Sequence, residues 1–318
     1  MNILLVGAGA VGQVYGHHLK KGGAKVSFFV RPKAAAAVRE KMVLYPLTRR
    51  DERTPVTFEA DGVFTSTEEI AAAGERERWD EVWFCVPANA LDEAWLASIA
   101  AAVGDARIVA LPPGLTAEEK IRRAFPGRDV VPGLIGILSY QAPLPGEEVP
   151  EPGIAYWCPP GSPTAFGGPR GAEVAEELDS GGCPAVAKKD VGATSALGGC
   201  VLMPTMAALE AAGWSFDAFR RGEMPQMAAA AAREALAITA ARLDVGVPFF
   251  AFFVRGWVLR LVAWLAPRFV PTDLEAFLRH HFKKVGGQTR LLFADFRKDG
   301  NERGMKTEAL AALAAKLV

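Results

Sequence analysis

The sequence predicts an α/β fold: an N-terminal Rossmann-type parallel sheet with helices on both faces, followed by an all-helical C-terminal domain. Three observations predict it. Strand-like and helix-like segments alternate through the first half, the pattern of a parallel sheet covered by helices. A glycine-rich turn, Gly7-Ala8-Gly9-Ala10-Val11-Gly12, joins the first strand to the first helix. From about Gly182 the chain reads as helix to its end. The 318 residues suit two domains, expected at residues 1–178 and 179–318.

The elements follow in order. Asn2–Val6 is a short apolar run ending in glycine, Ala10–Lys21 a helix and Lys25–Val30 a second buried strand. Ser66 and Glu69 stand at capping-box spacing and open a helix. Glu81–Val86 and Arg107–Leu111 are two further strands, and Thr116 with Glu119 repeats the capping spacing after the second. Between Val131 and Arg170, Pro and Gly crowd the chain, leaving short β pieces at Leu134–Tyr140 and Ile154–Cys158. Met224–Leu243 is an Ala-rich helix stopped near Gly246 and Pro248. Thr272 and Glu275 cap the next helix, Gly286-Gly287 breaks it, Gln288–Arg297 resumes it, and Thr307–Leu317 closes the chain.

Phe249–Val270 is mostly apolar. Arg255, Arg260 and Arg268 within it would each cost about 2.5–3.5 kcal/mol at a bilayer centre, and Pro267 interrupts it. It reads as a buried helix or a subunit-interface helix, with an amphipathic membrane-surface helix as the alternative. Its Phe and Trp side chains (Phe249, Phe250, Phe252, Phe253, Trp257, Trp264) are expected in a core or dimer interface, or else in an apolar substrate pocket. A long apolar segment in the second domain favours a twofold homodimer.

Composition sets limits. Thirty-six basic side chains balance 36 acidic ones, so no global electrostatic footprint for nucleic acid exists. Half the residues are hydrophobic, which excludes a disordered tail. Cys85, Cys158, Cys183 and Cys200 lack C-x-x-C spacing; neither a metal site nor a disulfide framework is expected, and a reducing cytoplasm suits them. Glycines interrupt the first apolar stretch and no basic region precedes it, unlike a secretory signal. A small-molecule ligand is expected, with no nucleic acid or membrane partner.

The glycine turn points to that ligand. Gly7 permits a tight bend, Gly9 lets the backbone approach a pyrophosphate, and Gly12 lets the helix pack close on the strand. Free N–H groups at the helix start, from Ala8 through Val11, then face the phosphates. Arg31 stands 19 positions after Gly12, where an NAD or FAD site would normally have Asp or Glu for the ribose, and no acidic residue occurs between Met1 and Arg39. Arg31, with Lys33 beside it, offers charge to a 2′-phosphate. The expected cofactor is NADP(H).

These features resemble the ketopantoate reductase (2-dehydropantoate 2-reductase) family. The resemblance rests on the glycine turn, the arginine after the second strand, a Pro-Gly-led β segment before the domain boundary and the helical second domain. It includes the run Lys284-Val285-Gly286-Gly287-Gln288-Thr289 and Thr307-Glu308-Ala309-Leu310. It covers nearly the whole chain, tightly in the first 130 residues and loosely in the middle. It implies NADPH-dependent reduction of a 2-oxo acid in a cleft between two domains.

The family's chemical residues are where this chain departs. Pro87 stands where the resemblance implies a lysine, followed by Asn89, and Pro113-Gly114 replaces an asparagine–glycine turn. Anchoring on Pro204 puts Ser195, Gly199 and Met203 at a catalytic lysine and two asparagines, and Gln288 falls near a substrate-binding acid. A gap would bring Lys188 or Lys189 closer. The resemblance therefore implies an oxidoreductase that works poorly on ketopantoate, or a catalytically silent NADP(H)-binding sensor or partner-binding protein. Expected cofactor contacts are the turn, Arg31, Lys33, Pro87, Asn89 and Gly114.

Replacement catalytic groups are sought in the basic cluster of His280, His281, Lys283, Lys284 and Arg290. His281 is a proton donor candidate, Lys284 a carboxylate holder and Ser195 a hydrogen-bond donor. A solvated basic helix face is the competing reading. His17 and His18 are expected on the surface of the first helix, and Cys85 and Cys200 as buried small hydrophobes.

Overall fold

The computed structural model describes residues 1–48 and 53–317, with side chains for all of these except residues 115 and 283–288. Two compact units are present, residues 1–48 with 53–192, and residues 193–317.

The first unit runs β1 (Asn2–Val6), α1 (Ala10–Lys21), β2 (Lys25–Phe29), α2 (Pro32–Arg39), β3 (Met42–Pro46), β4 (Val56–Phe58), β5 (Gly62–Phe64), α3 (Thr67–Arg76), β6 (Glu81–Phe84), α4 (Glu93–Ala102), β7 (Arg107–Ala110), α5 (Leu115–Ala124), β8 (Val130–Leu134), β9 (Leu138–Ala142), β10 (Gly153–Trp157), β11 (Thr164–Phe166), α6 (Gly171–Ser180) and β12 (Ala185–Ala187). Eight strands form one sheet, ordered β12-β11-β8-β7-β6-β1-β2-β5. Its six strands β5, β2, β1, β6, β7 and β8 are parallel. Their sequence of positions is the 3-2-1-4-5-6 order of dinucleotide-binding sheets.

Strand β1 shows why helices cover both faces. All five of its residues are buried, and alternate side chains point to opposite faces. Ile3 and Leu5 join Val14, Tyr15 and Leu19 of α1 and Val174 and Leu178 of α6. Leu4 and Val6 join Ile70 of α3, Leu96 and Ile99 of α4 and Ile121 of α5. An apolar run with no polar alternate can satisfy both faces only in this way.

A second sheet of four strands, β4-β3-β10-β9, shares the α1 core through Leu44, Phe58, Ile154 and Tyr156. Its centre pairs β3 with β10 in parallel, Leu44 opposite Ile154. The β pieces expected between Val131 and Arg170 are β9 and β10; β3 and β4 carried no clear sequence signal.

Helix ends differ from expectation in instructive ways. Ser66 caps α3 as read, its Oγ accepting from the Glu69 N–H at 3.3 Å. The Glu69 carboxylate reaches back to the Thr65 N–H at 2.6 Å. Thr116 caps nothing: α5 starts at Leu115 behind Gly114, whose φ of +102° turns the chain.

Helix α7 (Val191–Ala211) carries the chain into the second unit, which adds α8 (Phe216–Arg221), α9 (Met224–Arg242), α10 (Gly256–Phe269), α11 (Leu274–Glu302) and α12 (Glu308–Ala314). Alanines 228, 231, 232 and 235 are buried along α9; such small side chains let neighbouring helices come close. The Glu234 carboxylate of α9 accepts from the N–H groups of Ala309 and Leu310 at 3.1 and 2.9 Å, capping α12 from outside. Asp273, not Thr272, caps α11 by accepting from the Ala276 N–H at 3.0 Å. That helix continues through Gly286-Gly287 without a break, because two glycines weaken a helix without forbidding it. Among the described residues one helix, α7, is long and apolar enough to cross a membrane by length and composition.

Candidate cofactor and active site

Strand register builds the site. Val6 lies opposite Phe29 on one side and Phe84 on the other, and Phe84 lies opposite Ala110. The carboxyl ends of β2, β1, β6 and β7 are therefore flush. Residues just beyond them, namely Gly7, Arg31, Pro87 with Asn89, and Gly114, line one sheet edge where the strand order reverses between β1 and β6. Ligands bind at such an edge in open α/β sheets.

Each turn glycine has a distinct job. Gly7 has φ of +103°, a conformation that costs a residue with a Cβ, and its N–H donates to the Phe29 carbonyl at 2.9 Å. A Cβ on Gly12 would overlap the Gly7 carbonyl oxygen and stand 3.3 Å from the Cys85 Cβ. A Cβ on Gly9 would meet nothing within 4 Å, so its space is open toward a ligand. Gly9 is also the N-cap of α1, which has no side-chain cap and no acidic residue in its first turn. The positive end of the helix is uncompensated. Beside it, Gln13 steadies the turn by donating from Nε2 to the Ala8 carbonyl at 2.9 Å.

Arg31 is the N-cap of α2, with Pro32 at the first helical position. Arg31 and Lys33 are exposed, and neither charged group has a hydrogen bond or ion pair among the described residues. Pro87 opens a short 3-10 turn over Ala88–Ala90 that holds Asn89 at the surface. Cys85 lies just past β6, and burial pushes its thiol up, so it is no thiolate nucleophile.

His17 and His18 correct the surface reading. His18 is 5% exposed; its Nδ1 lies 2.9 Å from the Gly181 carbonyl and its Nε2 3.2 Å from the Tyr156 hydroxyl. His17 stacks edge-on to Phe58 at 5.5 Å, and burial, with His18 and Lys21 nearby, lowers it from 6.5 to about 4. Both belong to the α1 core under the second sheet, which no local sequence signal revealed.

In the second unit Ser195, Gly199 and Met203 recur every four residues on α7 and share one helical face. A Cβ on Gly199 would meet nothing within 4 Å. Lys188 and Lys189 lie between β12 and α7, outside the helix. His281 is on α11, exposed, its ring stacked on Phe277 at 5.6 Å. Arg290 Nη2 is 3.7 Å from Glu210. The Lys284 and Gln288 side chains lie outside the described ones. Cys200 is buried as expected, its Sγ 3.1 Å from Thr239 Oγ1.

A parallel sheet of this order, with a glycine turn at its switch point and an uncapped helix behind it, is the arrangement found in dinucleotide-binding α/β folds. Comparison with known proteins narrows the class. Residues 3–147 match the sequence model described as ketopantoate reductase PanE/ApbA. Over these residues the chain is similar in sequence to ketopantoate reductases. No curated protein sequence matches the chain.

Solved structures share the fold over both units. A PanE/ApbA family ketopantoate reductase from Ralstonia eutropha JMP134 is 17% identical, covers 100% of this chain and 97% of its own, and has a TM-score of 0.72. The 2-dehydropantoate 2-reductase from Methylococcus capsulatus is 20% identical, covering 99% and 95%, with a TM-score of 0.70. A D-mandelate dehydrogenase in ternary complex with NADH and anilino(oxo)acetate is 14% identical, covering 100% and 97%, with a TM-score of 0.73.

Proposed function

We propose that the chain is an NADPH-dependent oxidoreductase that reduces the carbonyl of a 2-oxo acid-like substrate, with slow turnover of ketopantoate itself. The observation that carries this reading is the uncapped start of α1 at an open Gly9, with Arg31 and Lys33 unpaired at the end of the neighbouring strand. The first-turn N–H groups of α1 would hold a pyrophosphate. Arg31 and Lys33 would hold a 2′-phosphate, and Pro87, Asn89 and Gly114 would border the far end of the nucleotide. The mandelate dehydrogenase complex with an oxo-acid ligand supports the substrate class; that neighbour takes NADH, and the basic corner here favours the phosphorylated cofactor.

The cofactor, when bound, supplies hydride to a carbonyl carbon. The chain must deliver a proton to the carbonyl oxygen and balance charge there. Ser195, at the position of the family's lysine, donates a hydrogen bond but carries no charge. Loss of a positioned general acid costs about 10²–10⁴ in rate. His281 and Lys284 are the remaining candidates for proton donor and carboxylate holder. The neutral Ser195–Gly199–Met203 face favours a second reading, an NADP(H)-binding sensor or partner-binding protein without turnover.

Titration calorimetry with NADPH and NADH separates these readings when joined to absorbance at 340 nm over a panel of 2-oxo acids. NADPH should bind more tightly than NADH. Arg31→Ala should weaken NADPH about 10- to 100-fold, the worth of one charge-assisted contact, and leave NADH nearly unchanged. Equal losses for both nucleotides would overturn the cofactor assignment. Binding without oxidation of NADPH across the panel would select the second reading.

A further inference from the structure

Residues 245–272 contain three arginines, Arg255, Arg260 and Arg268, and no aspartate or glutamate. They form a 3-10 turn over Phe249–Phe253 and helix α10. The sequence places their aromatic side chains in a core or an interface, and a core is not where they lie. Phe249, Phe252, Trp257 and Phe269 are 81%, 66%, 65% and 72% exposed, and only Leu259 and Ala263 of α10 are buried. An apolar face of this extent marks an interaction site.

The charges say what covers it. None of the three arginines forms an ion pair among the described residues. Arg255 stands over the Phe252 ring at 5.3 Å and Arg268 over the Trp264 ring at 4.4 Å. Arg260 donates to the Gly222 carbonyl at 2.9 Å and to Gln226 Oε1 at 3.2 Å, both neutral. Neighbouring α8 adds no excess negative charge, because Asp217 is paired with Arg220 and Arg221. A twofold copy of this segment offers no carboxylate to meet these cations. An anionic lipid surface complements Arg255 and Arg268 while accepting the aromatic rings at its headgroup boundary.

We propose that the α10 face docks on an anionic phospholipid bilayer as a peripheral contact. Phe249, Phe252, Trp257 and Phe269 enter the boundary between headgroups and acyl chains, and Arg255 and Arg268 reach lipid phosphates. The helix lies along the surface: its 14 residues, at about 1.5 Å each, fall short of the ~30 Å hydrocarbon core. This inference is independent of the cofactor site, which lies in the first unit.

Co-sedimentation of the full chain tests it, with vesicles of phosphatidylcholine alone and of phosphatidylcholine mixed with phosphatidylglycerol. The chain should pellet with the mixed vesicles, pellet poorly with the neutral ones, and be released by salt. Arg255→Gln with Arg268→Gln should weaken binding about 25-fold, about fivefold for each arginine near a charged surface. Phe249→Ser with Phe252→Ser should abolish it. Phe249, Phe252 and Arg268 are exposed and Arg255 is half-buried, so both variants should melt within a few degrees of the wild type, and the salt titration needs no variant. Equal pelleting with both vesicle types, or none with either, would overturn the proposal. So would a light-scattering dimer that Phe249→Ser dissociates in a chain indifferent to vesicles.

Discussion

Replacing Glu177 with glutamine should stabilise the first unit in alkaline solution and leave it nearly unchanged in acid. Glu81, 1% exposed, accepts from Trp83 Nε1 and Arg107 Nη1, both at 2.7 Å. Arg107 also contacts Glu173 at 2.8 Å and Glu177 at 3.5 Å, so one guanidinium faces three carboxylates. Glu177 Oε2 is buried with no hydrogen-bond partner among the described residues. Burial, then the charge of Glu81, lifts Glu177 from 4.5 to about 8. The folded unit keeps this proton between those values while the unfolded chain loses it, so stability falls as pH rises across that window. The full rise corresponds to about 5 kcal/mol. Water reaching the 21% of the side chain that is exposed screens part of it, leaving about 2–3 kcal/mol. For a unit of this size that is roughly 4–12 °C in melting temperature. Calorimetric melts of wild type and Glu177→Gln near pH 5 and near pH 9 measure the difference. An equal gain at both values, or none at the higher, refutes the reasoning.

Gly9→Ala should keep the wild-type melting temperature to within a few degrees, since nothing stands within 4 Å of its new methyl group, yet weaken NADPH about tenfold or more in calorimetry. Gly12→Ala should do the reverse first, costing about 1–3 kcal/mol of stability by overpacking against the Gly7 carbonyl. His17 is held near 4 in the fold, so the unfolded chain binds its proton first as pH falls below 6.5. Stability should drop by about 1–2 kcal/mol across that window, and His17→Gln should flatten the drop in a pH series of urea melts. Glu234→Ala should uncap α12 at a cost of about 1–2 kcal/mol, seen as faster proteolysis after residue 300.

The parts legible in the sequence are those whose cause is local. Asn2–Val6 and Ala10–Lys21 emerge with the expected bounds because a strand buried on both faces and a glycine turn leave their marks within a dozen residues. The proposed cofactor edge follows, since parallel strands of matched register bring Gly7, Arg31, Asn89 and Gly114 level without further information. Strands β3 and β4 escape notice because their small sheet is completed by pairing β3 with β10, more than a hundred residues later. His18 escapes for the same reason: its partners are Tyr156 and Gly181. The cap of α12 comes from Glu234 in another helix, whereas the start of α11 is misread by one residue between competing caps and that of α5 by two, where a glycine turn replaces a side-chain cap. The substrate side is less legible still. Ser195 and His281 sit far apart in the chain, and no spacing rule connects them.

The interleaving of the small sheet bears on how the protein is made. Strand β3 emerges early from the ribosome, but its partner β10 follows only at Gly153–Trp157. The walls of the glycine turn, Cys85 and Val86, arrive well before that. A nascent chain therefore completes the walls of its glycine turn while one flank of β3 remains a bare strand edge. Chains truncated between about residues 90 and 150 should aggregate through that edge, although their glycine turn is already walled.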